Sequence, residues 1–205
     1  MTNLKYPRFT NSRRCRMLRD TMYFEKAGAE SNTDECLDLA LKTARRLDVK
    51  KVVVASTSGA TAVKAGERFR GTGIVVVAVA HQYGHRDMPG KTLFLEDNLA
   101  KAQALGVKVH WGTDLLTATA AALRERYGGG PFGIVADTLR MFCQGVKVAV
   151  ECAVMACDAG LVSPDEEILS IAGTSKGADT ILVLQPAETH RLFTVKIREI
   201  VAKPR

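Results

Sequence analysis

The runs Val52 to Ala55 and Ile74 to Ala80, the second of them the longest in the chain, contain nothing but apolar residues. A strand with one wet face alternates polar and apolar residues, whereas a strand apolar at consecutive positions has to be covered on both faces. The runs fall far short of the roughly 20 apolar residues that cross a bilayer. Segments of helical rhythm lie between and around them. Leu37, Ala40, Leu41, Ala44 and Leu47 recur at helical spacing after a capping-box-like start at Asn32 and Glu35. Strands alternating with helices in this way build a parallel sheet with helices on its faces.

The rest of the chain extends the alternation. Thr21 to Phe24 reads as a short strand, about 60–69 as a helix, and His81 to Lys91 as a long loop with two glycines and Pro89. A helix at 95–105, a strand from Val107 to Trp111 and a helix from Leu115 to Arg126 follow. Residues 133–143 read as helical. The stretch 146–158 is rich in Val, but Val146, Val150, Ala153, Val154 and Cys157 keep the i, i+3/i+4 rhythm of a buried helix. Glu167 to Ala172 and Thr180 to Leu184 are strands joined by a Gly-rich turn. A final strand at about Leu192 to Val201 alternates and suits an antiparallel edge. One α/β domain over residues 21–205 is therefore expected, and the 205 residues hardly leave room for two.

Charge and cysteine usage narrow the function. Residues 1–20 hold six basic residues against Asp20, a +5 that leaves only +2 of the formal +7 for the other 185 residues. The excess belongs to a basic tail, expected to be flexible and solvated; a start at Met17 or Met22 is left open. The body has no basic stripe with interleaved aromatics, so nucleic acid is not the expected partner. Nor is a membrane, and no apolar stretch after the basic N-terminus suggests a secretory leader. Five cysteines, with no CxxC pair, read as reduced thiols of a cytoplasmic protein.

Three constellations could carry chemistry. Ser56-Thr57-Ser58-Gly59-Ala60-Thr61 joins an apolar strand to a helix. Backbone N–H groups at a helix start, a close-approach glycine and short hydroxyls are what a phosphate needs; the same residues also make an ordinary capped turn. Gly173 to Asp179 follows another strand, and there a Gly-containing hairpin would look the same. Open α/β sheets bind ligands at the carboxyl ends of their strands, and two such loops are more telling than one. His81-Gln82-Tyr83-Gly84-His85 leaves a third strand end. Its two histidines are not expected to hold a metal, because Gly84 and Pro89 mark a loop and no third ligand stands nearby. Glu151, four residues after Lys147, defaults to a surface ion pair, with a pocket carboxylate as the sharper reading.

Tyr23 to Gly28, Val54 to Ala62, Val148 to Gly160 and Gly173 to Thr180 together resemble a family of stand-alone prokaryotic proteins related to the C-terminal α/β domain of pyruvate kinase. The resemblance covers about residues 21–203. It implies a three-layer α/β/α sandwich with a mostly parallel sheet and an antiparallel edge strand. It implies no pyruvate kinase activity, since the catalytic barrel is not in these residues. In pyruvate kinase the loop resembling Ser56 to Thr61 holds a phosphate of the sugar-bisphosphate effector. Here Ala60 stands where pyruvate kinases often have Arg, which puts bisphosphate recognition in doubt. The stand-alone relatives are associated with FMN. Carried over, Ser56, Thr57, Ser58, Gly59, Ala60 and Thr61 would take the flavin phosphate. Gly173, Thr174, Ser175, Gly177, Ala178 and Asp179, with His81, Gln82, Tyr83 and Gly84, would border ribityl and ring, and Glu151 would be a pocket carboxylate.

The expected function is thus FMN binding by a protein of unassigned reaction, a flavin-dependent oxidoreductase among the options. A regulatory or sensor module that binds a phosphorylated metabolite without catalysis is the alternative. Among titratable groups His81 is the first catalytic candidate, its ordinary pKa lying near neutrality. A homo-oligomer is left open.

Overall fold

In the computed structural model, which describes residues 20–85 and 88–205, the two apolar runs are adjacent parallel strands at the heart of one sheet. In chain order the strands are β1 (Met22–Phe24), β2 (Lys51–Ala55), β3 (Val75–Ala80), β4 (Lys108–Trp111), β5 (Ile168–Ala172), β6 (Thr180–Gln185) and β7 (Lys196–Pro204). Their spatial order is β1-β7-β6-β5-β2-β3-β4. Strands β5, β2, β3 and β4 run parallel to one another. Antiparallel pairing falls at the other end, between β5 and β6 and between β6 and β7, with the short β1 added parallel to β7.

The parity of β2 explains why it must be apolar throughout. Val52 and Val54 belong to one buried cluster, with Leu37, Ala40, Ala44, Ala62, Ala65 and Phe69 from the helices above. Val53 belongs to the other, with Val146, Ala149, Val150 and Ala153 from below. The helices α1 (Asn32–Leu47), α2 (Ala60–Phe69) and α3 (Glu96–Ala104) cover the first face. The second is covered chiefly by α6 (Gln144–Asp158), with α4 (Ala120–Tyr127) and α5 (Pro131–Arg140) outside it. The result is an α/β/α sandwich, and α6 is buried along nearly its whole length, as its Val-rich rhythm indicates.

Three local expectations are corrected. The capping box at Asn32 and Glu35 does not form: Ser31 is the N-cap residue without a side-chain cap, and Asn32 Nδ2 donates instead to the Lys26 carbonyl at 2.8 Å. The last strand starts later than its alternation suggests. Thr189 N–H and Oγ1 are held by the Asp158 carboxylate, which anchors a 3-10 turn over Thr189–Thr194. The helix expected from Leu115 opens with a π-helical turn, Leu115–Thr119, before α4 proper. Among the described residues no helix is long and apolar enough to cross a membrane. The basic tail, except Asp20, lies outside the described residues.

Candidate functional site

The loops that leave β5, β2, β3 and β4 all emerge at the carboxyl ends of four neighbouring parallel strands, the position where open α/β sheets bind ligands. They meet around a cleft of about 470 Å³. Ser56, Thr57, Ser58, Ala60 and Thr61 form one wall, Gly173, Ser175, Lys176 and Gly177 another, and His81 and Glu151 lie between them.

The β2–α2 loop is built to expose amides. Ser56 N–H is spent on the Val79 carbonyl, Ser56 Oγ accepts the Ala62 N–H at 3.2 Å, and Val63 N–H reaches the Gly59 carbonyl. The Ser58 carbonyl is pinned by Leu95 N–H and by Asn98 Nδ2. Among the described residues, the N–H groups of Thr57, Ser58, Gly59, Ala60 and Thr61 meet no internal acceptor. Five consecutive donors at a helix start attract negative charge.

Several residues expected at the ligand do not line the cleft. Gly59 has φ +89° and turns its Cα toward Phe94, whose Cε1 a Cβ would meet at 2.4 Å; its freedom serves packing of the loop on its neighbour. The chain bends away after His81, so Gln82, Tyr83 and Gly84 leave the cleft. Tyr83 is 55% exposed and tilts against Trp111, and Gly84 N–H bonds to the Lys91 carbonyl. Asp179 is wholly buried and organises the loops from behind. Its carboxylate accepts Gly28 N–H at 2.9 Å, Thr174 N–H at 3.2 Å and the Thr180 hydroxyl at 2.8 Å. Ala178 is buried, its N–H held by the Thr33 hydroxyl. Thr174 also stays out of the lining, while Ser175 at the loop tip sits at φ +75°, a strained conformation for a residue with a Cβ.

Glu151 is the pocket carboxylate rather than half of a surface pair. Lys147 is 0% exposed and Glu151 4%, because this flank of α6 is covered by the turn at Leu115–Thr119 rather than by water. Lys147 Nζ is bonded to Glu151 Oε2 and to Thr117 Oγ1. Glu151 Oε1 also accepts Leu116 N–H at 2.6 Å, and Oε2 accepts the Thr117 hydroxyl at 3.0 Å. Those bonds hold the π-helical turn, the kind of irregularity often found at functional sites.

The cleft also contains residues that local reading missed. Asp114 is buried, with His81 Nδ1 at 2.8 Å and His85 Nδ1 at 3.4 Å from its Oδ2. The third metal-type side chain is absent along the chain near the histidines but present in space. The signal that could have found it is positional: Asp114 stands three residues after Trp111, the end of a strand. Thr33, Lys64, Thr117, Gln144 and Cys152 complete much of the wall. Lys64 is paired with Asp34, whereas Lys176 is exposed at the rim.

Burial raises the thiols of Cys36 and Cys152 well above their ordinary pKa, with nearby carboxylates adding to the shift, and pushes Cys157 up to about 11. The thiolate is the reactive form, so raised values slow alkylation. Iodoacetamide at pH 8 is expected to leave Cys36 and Cys152 unmodified in the native protein and to label both in urea, read by peptide mass spectrometry. Rapid native labelling of Cys152 would mean that the cleft opens deeply.

Comparison with known proteins bears on the fold. The description "Pyruvate kinase, alpha/beta domain" matches residues 34–184. The chain belongs to the pyruvate kinase alpha/beta domain family. Two structures of Cryptosporidium parvum pyruvate kinase, one in complex with ADP, are 10% and 12% identical to it, with TM-scores of 0.34. They match over 82% and 80% of this chain, which spans only 22% and 23% of their length. An O-ureido-L-serine synthase is 15% identical over 66% of this chain and 49% of its own, with a TM-score of 0.31. The family assignment rests on the family match.

Proposed function

We propose that this pyruvate kinase alpha/beta domain protein binds a phosphorylated ligand of cofactor size, with FMN as the candidate that the resemblance implies. The observation that carries the reading is the run of five amides without internal acceptors among the described residues, Thr57 to Thr61, four of whose residues line one wall of a 470 Å³ cleft. That volume is in the range of small-molecule sites. Lys176 adds positive charge at the rim.

The residues present fit FMN in outline. The amides and the hydroxyls of Ser58 and Thr57 would receive the phosphate, the Gly173–Gly177 loop would offer backbone groups, and Val79, Ala80, Val148 and Cys152 supply apolar wall for a ring. A bound flavin would supply electron and hydride transfer. What this chain contributes beyond binding is limited, because its ionisable groups at the cleft are engaged with one another: Glu151 with Lys147, and Asp114 with His81. That engagement favours, as a second reading, a sensor that binds its ligand without transforming it.

The test is to denature purified protein, identify what is released by mass and visible absorbance, and titrate FMN calorimetrically into the emptied protein. A flavin mononucleotide mass, with binding weakened about 10-fold in Lys176→Ala, supports FMN; one charged hydrogen bond to phosphate is worth about that much. Release of a colourless phosphorylated compound supports the sensor. Release of an unphosphorylated compound would remove phosphate recognition from this loop pair, and undiminished affinity in Lys176→Ala would remove Lys176 from it.

A further inference from the structure

We propose that His81, His85 and Asp114 form a binding site for a first-row divalent transition metal whose open positions face the cleft. The ligand atoms of the three side chains all lie within 4.8 Å of one another. His81 and His85 leave the end of β3 and Asp114 follows the end of β4, so pairing of these two strands brings together His81 and Asp114, 33 positions apart in the chain.

The geometry suits a metal. Both Nδ1 atoms converge on one oxygen, Asp114 Oδ2, at 2.8 and 3.4 Å. Metal–ligand bonds of about 2.0–2.1 Å in a tetrahedron place neighbouring ligand atoms about 3.3 Å apart, close to both of these nitrogen–oxygen separations. The two imidazoles are stacked, their centroids 3.9 Å apart and their planes within 9°, so taking up a shared cation requires the rings to rotate until both Nδ1 lone pairs point at it. A hydrogen bond from one histidine would satisfy that oxygen, whereas two imidazoles and a carboxylate converging on one point is a ligand set. Asp114 is also held from behind, its carbonyl accepting N–H bonds from Thr117, Ala118 and Thr119 at the π-helical turn. Fixed ligands of this kind lower the cost of assembling a site.

The chemistry of the donors selects the metal class. Two imidazole nitrogens with one carboxylate suit zinc, cobalt, iron or nickel; calcium and magnesium prefer all-oxygen shells. Among the described residues no fourth His, Cys, Asp or Glu joins the cluster. Three protein ligands leave a position for water or a ligand atom, as in sites that act on a bound molecule. All three residues line the cleft of the proposed phosphorylated ligand. The metal reading does not rest on that ligand, and the two fail separately.

Cobalt(II) is the probe, titrated into full-length protein stripped with chelator and freed of any bound small molecule, followed by visible spectroscopy and calorimetry. One saturable equivalent per chain is expected, displaced by zinc. His85→Gln and Asp114→Asn are each expected to weaken it more than about 100-fold, beyond the loss caused by an outer partner. His110→Gln/His190→Gln, which removes the other two histidines, should bind as the parent does. Should Asp114→Asn fail to fold, His85→Gln carries the test alone, its side chain lying nearer the surface. Absence of saturable binding, binding unchanged in His85→Gln, or binding lost in the His110/His190 variant would each overturn the proposal.

Discussion

Lys147→Met is expected to lower stability by about 3–5 kcal/mol, because it strands the Glu151 carboxylate in the interior. For a chain of this length each kcal/mol corresponds to about 2–4 °C in melting temperature, so the loss should be roughly 6–20 °C. The interior position is what makes the effect large: the same i, i+4 pair on a surface helix would be worth a few tenths of a kcal/mol. Lys147→Met combined with Glu151→Leu removes both charges and should recover much of the loss. Recovery stays incomplete, since Leu116 N–H and the Thr117 hydroxyl then lose their acceptor. Urea unfolding of the parent, the single and the double variant decides the matter. A Lys147→Met cost below about 1 kcal/mol would mean that water reaches the pair.

The second large effect is expected at Gly59. A valine there must hold φ near +89°, which costs about 1–2 kcal/mol by itself. Its Cβ must also displace Phe94 and Asn98, whose atoms lie 2.4 and 2.7 Å from where it would sit. Gly59→Val should therefore destabilise the fold and misdirect the amides of the β2–α2 loop, abolishing binding of any phosphorylated ligand. The route is indirect, and this distinguishes it from steric exclusion of the ligand. Gly59→Ala should show a smaller loss, and Gly59→Ala with Phe94→Ala should relieve the Phe94 part of the clash while keeping the Asn98 contact and the φ strain. Thermal melts alongside ligand titration separate the two contributions. A Gly59→Val variant with parental stability and no binding would instead place the ligand against Gly59 itself.

Much of the fold was legible because its determinants are local. The bounds of α2, β3 and α6 follow from apolar runs and helical periodicity within about a residue or two. Even the Val-rich stretch of α6, which composition alone would assign to a strand, is identified by its i, i+3/i+4 rhythm. The misses have local causes that only neighbours supply. Asn32 finds the Lys26 carbonyl instead of a helix amide, and Asp158 draws Thr189 into a turn where alternation suggests strand.

The candidate site was legible in part for the same reason. Strand ends followed by small polar residues are visible in a linear chain, so Ser56 to Thr61 and the Gly173 loop could be placed at a shared cleft. Which atoms face it could not be read so. Gly59 and Asp179 have the right chemistry for a ligand and serve packing and loop organisation instead. By itself the sequence determined the elements, the doubly covered parallel sheet and the strand-end loops, because periodicity and turn chemistry act within a few residues. Only the tertiary structure decided that Lys147 and Glu151 are interior and that Asp114 meets His81 and His85. Burial and convergence depend on sheet order, which joins β4 to β3 and lays α6 across β2, and no local spacing encodes distances between strands far apart in the chain.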